Sequence, residues 1–357
     1  MTEEAEIQEE VINGVAILTL NRPHHLNAIN MTMFYQMWIL LKKWAIDPNI
    51  TSVVVRGSGG KSFCAGGDVL DVVKNRGNDD FMHEVYRCEY VVDQLIYNYP
   101  KPFIPLMSGI VMGGGAGISV HAHGRRIVTE STLFAMPETA LGLFPDIGAS
   151  HFLSRMPGPI GYYISLTGSR LTAADALYTG IADYFLESEE LENFINAICD
   201  GEDPDSAIKR FESNPGPSSL AHHFDIINAH FNADNLAEIL NNLESDTTSW
   251  AREILKKIRS MCPFSQVVTF ENIKRSKGQE LEHCLVTDFR IAIHLMKRND
   301  YFEGARAILI DKDRVPIWSP KIIEDVSHEE IEACFASLGK SDLKFESHYV
   351  DTNIRNN

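Results

Sequence analysis

Three consecutive glycines, Gly113–Gly115, constrain this chain more than any other feature. They follow an apolar run, Phe103–Met107 and then Ile110–Met112, and precede the small-residue segment Ala116–Ala122. This pattern predicts a strand, a tight turn and a helix start. Glycine lets a backbone approach a ligand closely, and the first amides of a helix have no acceptor within it. Such a turn therefore suits a developing negative charge. Two carboxylates follow, Glu138 after Pro137 and Asp146 after Pro145. Proline fixes the local backbone, which places both acids on stiff turns flanking a short helical turn. Fixed amide donors beside two rigid acids suit hydrolysis at a carbonyl.

The rest of the chain supplies a frame for that stretch. Ile7–Val11 and Val15–Leu20 flank Asn13-Gly14, a dipeptide that favours a tight hairpin. From Met31 to Ile46 apolar residues recur at helical spacing, with Asn30 as cap and Asp47-Pro48 as stop. The β-branched run Thr51–Val55 leads into a second glycine-rich turn, Gly57–Lys61 and then Ser62–Asp68, where Asp68 reads as a helix cap. Asp79–Tyr97 reads as a helix carrying Glu89 on a partly apolar course, and Gly180–Phe185 as a closing strand. Repeated strand, strand, helix units whose glycine turns face one region describe an α/β fold. Beyond about Glu189 the signals are helical, including Leu236–Leu243, Trp250–Ile258, Phe264–Ile273 and Leu285–Met296. The expected division is a core over residues 1–188 and a mainly helical region over 189–357 that completes the fold, with Asn214–Ser219 as a loop.

Several functions are disfavoured. Thirty-two basic residues stand against 49 acidic ones, a net charge of -17, which argues against nucleic acid or an anionic membrane as a broad-surface partner. The P-loop pattern would need glycine at position 55, which is Val55, and the dinucleotide fingerprint fails at Ile118. His121 and His123 point apart at a spacing of two and lack a matching ligand set, so no metal is expected. Six cysteines without a close pair predict free thiols, and Cys64 lacks an identifiable histidine for nucleophilic work. Neither the acidic opening, Met1–Glu10, nor the closing Ile354–Asn357 carries an address signal, and no apolar run of spanning length occurs.

With these features in view, the chain resembles the crotonase (enoyl-CoA hydratase/isomerase) superfamily and, within it, the 3-hydroxyisobutyryl-CoA hydrolases. The superfamily features are Asn21-Arg22-Pro23 with Leu26-Asn27-Ala28, the turn Ser62–Asp68, and the triple glycine. The hydrolase features are Phe134–Thr139, Gly142–Gly148 and Phe302–Asp313. The likeness runs from about residue 10 to the tail Ser341–Phe345. It implies a crotonase-like ββα spiral core with a helical C-terminal region. It also implies an acyl-CoA thioesterase acting on 3-hydroxyisobutyryl-CoA, as in valine breakdown. No cofactor is expected, since CoA belongs to the substrate. The partner is a small-molecule acyl-CoA, with no nucleic acid and no membrane, and self-association as a homo-oligomer is left open. The family is commonly mitochondrial, whereas no presequence is visible and a cytoplasmic location is the alternative.

Residue by residue, the resemblance places oxyanion-hole amides at Ala65 and Gly114, the catalytic acids at Glu138 and Asp146, and a substrate-contacting carboxylate at Glu89. Arg22, Lys61 and the backbone around Leu26 are its candidates for CoA contacts, and His24-His25 stand where relatives often carry Lys or Arg. Hydratases of the superfamily carry a first glutamate shortly after the triple glycine, a position held here by Gly117, and usually have glycine where this chain has Asp146. That exchange favours thioester cleavage over addition of water to a double bond. Glu138 then serves as general base or as nucleophile, while Asp146 holds the substrate's 3-hydroxyl. The alternatives are hydrolysis of another short acyl-CoA, a hydratase or isomerase, and a non-catalytic relative serving in assembly, for instance on the ribosome.

Overall fold

The computed structural model describes residues 5–345; residues 1–4 and Ile354–Asn357, both used above in reading address signals, lie outside the described residues. Strands β1 (Ile7–Ile12) and β2 (Val15–Leu20) form an antiparallel hairpin. Asn13 and Gly14 turn it at φ 48° and 91°, the positive angles that a two-residue hairpin loop demands. Helix α1 (Met31–Ile46) follows, its first turn capped by the Asn30 side chain as expected.

Three units then repeat one plan. The first runs through β3 (Ser52–Gly57), β4 (Ser62–Cys64), α2 (Val69–Lys74) and α3 (Asp79–Tyr97). The second runs through β5 (Phe103–Met107), β6 (Ile110–Met112) and α4 (Gly114–Val120). The third runs through β7 (Ile127–Val128), β8 (Leu133–Ala135), a 3-10 turn (Glu138–Leu141) and α5 (Ala149–Leu153). Within each unit the first strand joins a six-stranded sheet, β1-β2-β3-β5-β7-β9, completed by β9 (Tyr184–Phe185). The second strand joins a three-stranded sheet, β4-β6-β8. All pairings except β1 with β2 are parallel. The chain therefore climbs as a spiral whose small sheet is made of strands three residues long.

Alternation along the large sheet explains its two-sided burial. Val15, Ile17, Val54, Ile104 and Ile127 face one way, against the helices Leu191–Cys199 and Pro204–Phe211. Ala16, Leu18, Val53, Val55 and Phe103 face the other way, into the main core. A parallel sheet covered on both sides reads as a near-continuous apolar run, and β3 shows this. The main core continues without a break from Ile7 to Leu343, so residues 189–345 contribute walls to it. Among them the helix Leu281–Leu295 packs on α3, and the helix Asp300–Ala305 packs on the 3-10 turn.

Candidate active site

Because β4, β6 and β8 are adjacent and parallel, the segments leaving them emerge side by side. Ala65–Gly67 follows β4, Gly113-Gly114 follows β6, and Pro137-Glu138 follows β8. The Ala65 amide corrects the sequence expectation, since it donates to the Leu26 carbonyl at 3.0 Å and is already paired. Gly67 offers an amide instead. It forms a parallel bridge with Ile29, in which the Ile29 amide donates to Gly66 and the Asp68 amide donates to Ile29, each at 2.9 Å. That pairing uses the groups of residues 66 and 68 and turns the groups of Gly67 to the opposite side. The Gly67 nitrogen lies 3.3 Å from where a side chain on Gly114 would begin. Gly114 opens α4, and an amide in that position has no acceptor within its helix. Two amides from separate bends thus face one space.

Glu89, Glu138 and Asp146 line that space, a cavity of about 110 Å³ shared with Ala65, Gly114 and Tyr301. All three acids are buried. Oε1 of Glu89 sits 2.5 Å from the position of a Gly114 side chain, and Oε1 of Glu138 sits 3.5 Å from that of Gly113. Oε2 of Glu138 has no protein partner among the described residues. Burial first, then the neighbouring Asp146 charge, pushes both glutamates well above the usual carboxylate range. Asp146 rises to about 6 through burial, opposed by a hydrogen bond from Tyr90. Buried acids with raised pKa values lining one cavity are matched to proton transfer.

The turn carrying Asp146 is held from three sides. Ile147 adopts a left-handed φ of 59°, a strained setting for a β-branched residue that needs external support. His121 Nε2 donates to the Ile147 carbonyl at 2.7 Å, and burial keeps that imidazole neutral by lowering its pKa to about 4. The Gly148 amide donates to Asp288 Oδ2 at 2.7 Å, and Asn272 donates to Asp288 Oδ1 at 2.8 Å. From the third side Tyr90 donates to Asp146 Oδ2 at 2.6 Å. Neither Asp288 nor Tyr90 was recognisable from sequence. Asp288 comes from a helix 140 residues along the chain, and Tyr90 carries no local motif.

Asp93 is a further buried acid, one helical turn beyond Glu89 on α3. Neither of its oxygens has a partner among the described residues, and Oδ1 lies 2.6 Å from where a Gly117 side chain would begin. Its carboxyl thus fills the room that a larger residue at 117 would need. Burial, then the Glu89 charge, pushes its pKa well above the ordinary range. The unfolded chain ionises this group from about pH 4 upward, so burying it weakens the fold increasingly from there toward the raised folded value. Asp93→Asn should therefore exceed the wild type in Tm by on the order of a few degrees at pH 8, with a smaller gain at pH 5. Thermal melts at the two pH values check this.

The candidates for CoA contacts fall outside the cavity. Arg22 is drawn into the protein's own fabric, donating to the Ala28 carbonyl at 2.7 Å and pairing with Asp68 at 3.0 Å and Glu6 at 2.9 Å. Asn27 ties the same segment to the carbonyls of Ser58 and Ser62 at 3.0 and 2.9 Å. The Asn21–Ala28 motif thereby clips the glycine-rich turn in place. Leu26 is partly exposed at φ 51°, and Lys61 is exposed. Cys64 is buried, its thiol pushed up to about 12 by desolvation, which does not suit a thiolate nucleophile. Among the described residues no His, Cys, Asp and Glu cluster could hold a metal ion, and no helix is long and apolar enough to cross a membrane.

A family model described as enoyl-CoA hydratase/isomerase matches residues 15–335. The chain belongs to this family. It is 40% identical over 339 residues to the mitochondrial 3-hydroxyisobutyryl-CoA hydrolase of Xenopus tropicalis, covering 92% of this chain and 88% of that protein. It is 38% identical over 365 residues to the mitochondrial enzyme of the same name from Homo sapiens, covering 97% and 93%. Among solved structures, a carnitinyl-CoA dehydratase from Mycobacterium thermoresistibile superposes with a TM-score of 0.92 at 32% identity, covering 96% of this chain and 100% of that one. An enoyl-CoA hydratase from Rhodobacter sphaeroides 2.4.1 gives 0.89 at 34%, with the same coverage. The fold is thus that of the enoyl-CoA hydratase/isomerase family, as the sequence resemblance implied. The names of these relatives divide between a CoA-ester hydrolase, a hydratase and a dehydratase, so the reaction of this member turns on its own acids.

Proposed function

We propose that this chain hydrolyses the thioester of a short 3-hydroxyacyl-CoA, with 3-hydroxyisobutyryl-CoA as its substrate. The observation that carries the reading is the meeting of the Gly67 and Gly114 amides with Glu138 and Asp146 around one small cavity. The cavity is small, about 110 Å³, which suits an acyl group of a few carbons. The thioester oxygen accepts from the two amides, which hold its charge as the tetrahedral intermediate forms. Glu138, with one oxygen unpaired, takes the proton of the attacking water or attacks the carbonyl itself to give a transient anhydride. In either case the C–S bond breaks and CoA leaves as the thiol. In the first, Glu138 passes the water's proton to the departing sulfur; in the second, the sulfur takes a proton from solvent and a water then cleaves the anhydride, releasing the acid and restoring Glu138. Asp146 accepts from the substrate's 3-hydroxyl, and Glu89 contacts the acyl group beside Gly114.

The reaction needs no cofactor in this scheme. Lys61 and the backbone near Leu26 remain the proposed CoA contacts, while Arg22 serves by fixing the turn. The relatives' names support a mitochondrial setting, such as valine breakdown, and a cytoplasmic one is the alternative. Gly117 weighs against hydration, because Asp93 occupies the space that a glutamate at that position would take. Purified chain is expected to release free thiol from 3-hydroxyisobutyryl-CoA and to leave the conjugated absorbance of crotonyl-CoA unchanged. Loss of that absorbance without thiol release would favour the hydratase, and inertness toward both would favour a non-catalytic role.

A further inference from the structure

We propose that Tyr90 is a positioning residue for Asp146: its hydroxyl selects which carboxylate oxygen meets the substrate and keeps that carboxylate an acceptor, so that hydroxylated acyl groups are preferred. The inference deepens the hydrolase reading and rests on it.

The geometry is specific. Tyr90 follows Glu89 on α3, and adjacent helical residues point about 100° apart. Glu89 reaches Gly114, while Tyr90 reaches Oδ2 of Asp146 at 2.6 Å. That bond engages Oδ2, and the carboxyl lines the cavity. Tyr90 is fully buried, and its ring is wedged between Tyr86 and Phe289, with ring centroids 5.9 and 6.5 Å away. A phenol so confined cannot swing off without disturbing α3 or the helix Leu281–Leu295.

The electrostatics give the bond a task. Asp146 interacts with Glu89 and Asp93 from α3, Glu138 from the 3-10 turn, Asp288 from the helix Leu281–Leu295, and the phenols of Tyr86, Tyr90 and Tyr301. None of these is a cation. Among the described residues Tyr90 is the side chain that donates to Asp146, assisted by the Asp146 backbone amide. Burial and the Asp146 charge keep the phenol itself protonated, so it remains a donor throughout the working range. A charged acceptor binds a hydroxyl more strongly than a neutral acid does, so discrimination depends on this donor.

The test is the ratio of kcat/KM for 3-hydroxyisobutyryl-CoA to that for isobutyryl-CoA, measured from pH 5 to 8.5. Glu138 serves both substrates alike, so the ratio isolates Asp146. In the wild-type chain the ratio should fall on the acid side near pH 6, where Asp146 takes up its proton. Tyr90→Phe removes a stabiliser of the charged form, which raises the pKa of Asp146. The fall should then move up by about one pH unit, and the ratio at pH 7 should drop about twofold, mainly through KM for the hydroxylated substrate. Site-specific 3-fluorotyrosine at 90, a stronger donor of nearly the same shape, should move the fall the other way, and it supplies the reading if Phe at this position does not fold. Hydrolysis by wild type with an unchanged ratio and pH profile in both variants would overturn the role of Tyr90. Absence of hydrolysis by the wild type would instead overturn the hydrolase reading.

Discussion

Glu138→Gln is expected to lower kcat for thiol release from 3-hydroxyisobutyryl-CoA by about 100- to 10,000-fold, the range that a positioned general base contributes. The fold should not suffer with it. Burial pushes the Glu138 carboxyl well above its usual range, so an amide of the same size removes a costly buried charge without changing the packing. The buried Oε2 has no protein partner to lose. A loss of activity at unchanged Tm therefore separates a chemical role from a structural one. Stopped-flow thiol detection and melting curves on the same preparation provide both numbers. A variant of wild-type activity would remove Glu138 from the reaction.

Gly114→Ala is expected to cost about 100- to 1,000-fold in kcat, the typical loss for one oxyanion donor. A methyl group there would stand 2.5 Å from Oε1 of Glu89 and 3.3 Å from the Gly67 nitrogen. The carboxyl is the end of a side chain and can shift, so the variant should fold, but it would crowd the space where the two amides meet. The neighbouring glycine fails differently. A methyl group on Gly115 would lie 2.3 Å from the Cys64 carbonyl, which is backbone and cannot yield, so Gly115→Ala should lose solubility or Tm outright. The contrast between two adjacent positions is measurable by expression, melting and turnover together. Equal behaviour of the two variants would contradict the separation of binding from packing along α4.

Local chemistry made much of this architecture readable in advance. Asn13-Gly14 announced the hairpin because only a few residues accept two positive φ angles, and Asn30 announced α1 through its capping side chain. Asp68 acts as the cap expected of it, accepting from the Asp71 amide at 3.2 Å. The small sheet was not legible, since strands of three residues are too short to display a period. For the same reason the alignment of the two glycine turns with Glu138 followed from the resemblance and not from periodicity. Which amide of the first turn faces the cavity could not be read at all. Ala65 and Gly67 differ only in their partners, Leu26 for one and the Ile29 bridge for its neighbours, and both partners belong to another segment. Arg22, which the resemblance offered for CoA contact, pairs with Asp68 and Glu6, partners that no local pattern discloses. Asp93 and Asp288 are ordinary helical acids in the sequence, and tertiary burial alone distinguishes them.

The most direct test of the account is a crystal structure of the chain with an uncleavable ketone analogue of 3-hydroxyisobutyryl-CoA, in which a methylene replaces the thioester sulfur. The ketone oxygen should lie within hydrogen-bond distance of the Gly67 and Gly114 nitrogens, with Glu138 beside the carbonyl carbon and Asp146 on the hydroxyl. An oxygen held by other donors, or an acyl group seated away from Glu138, would contradict it.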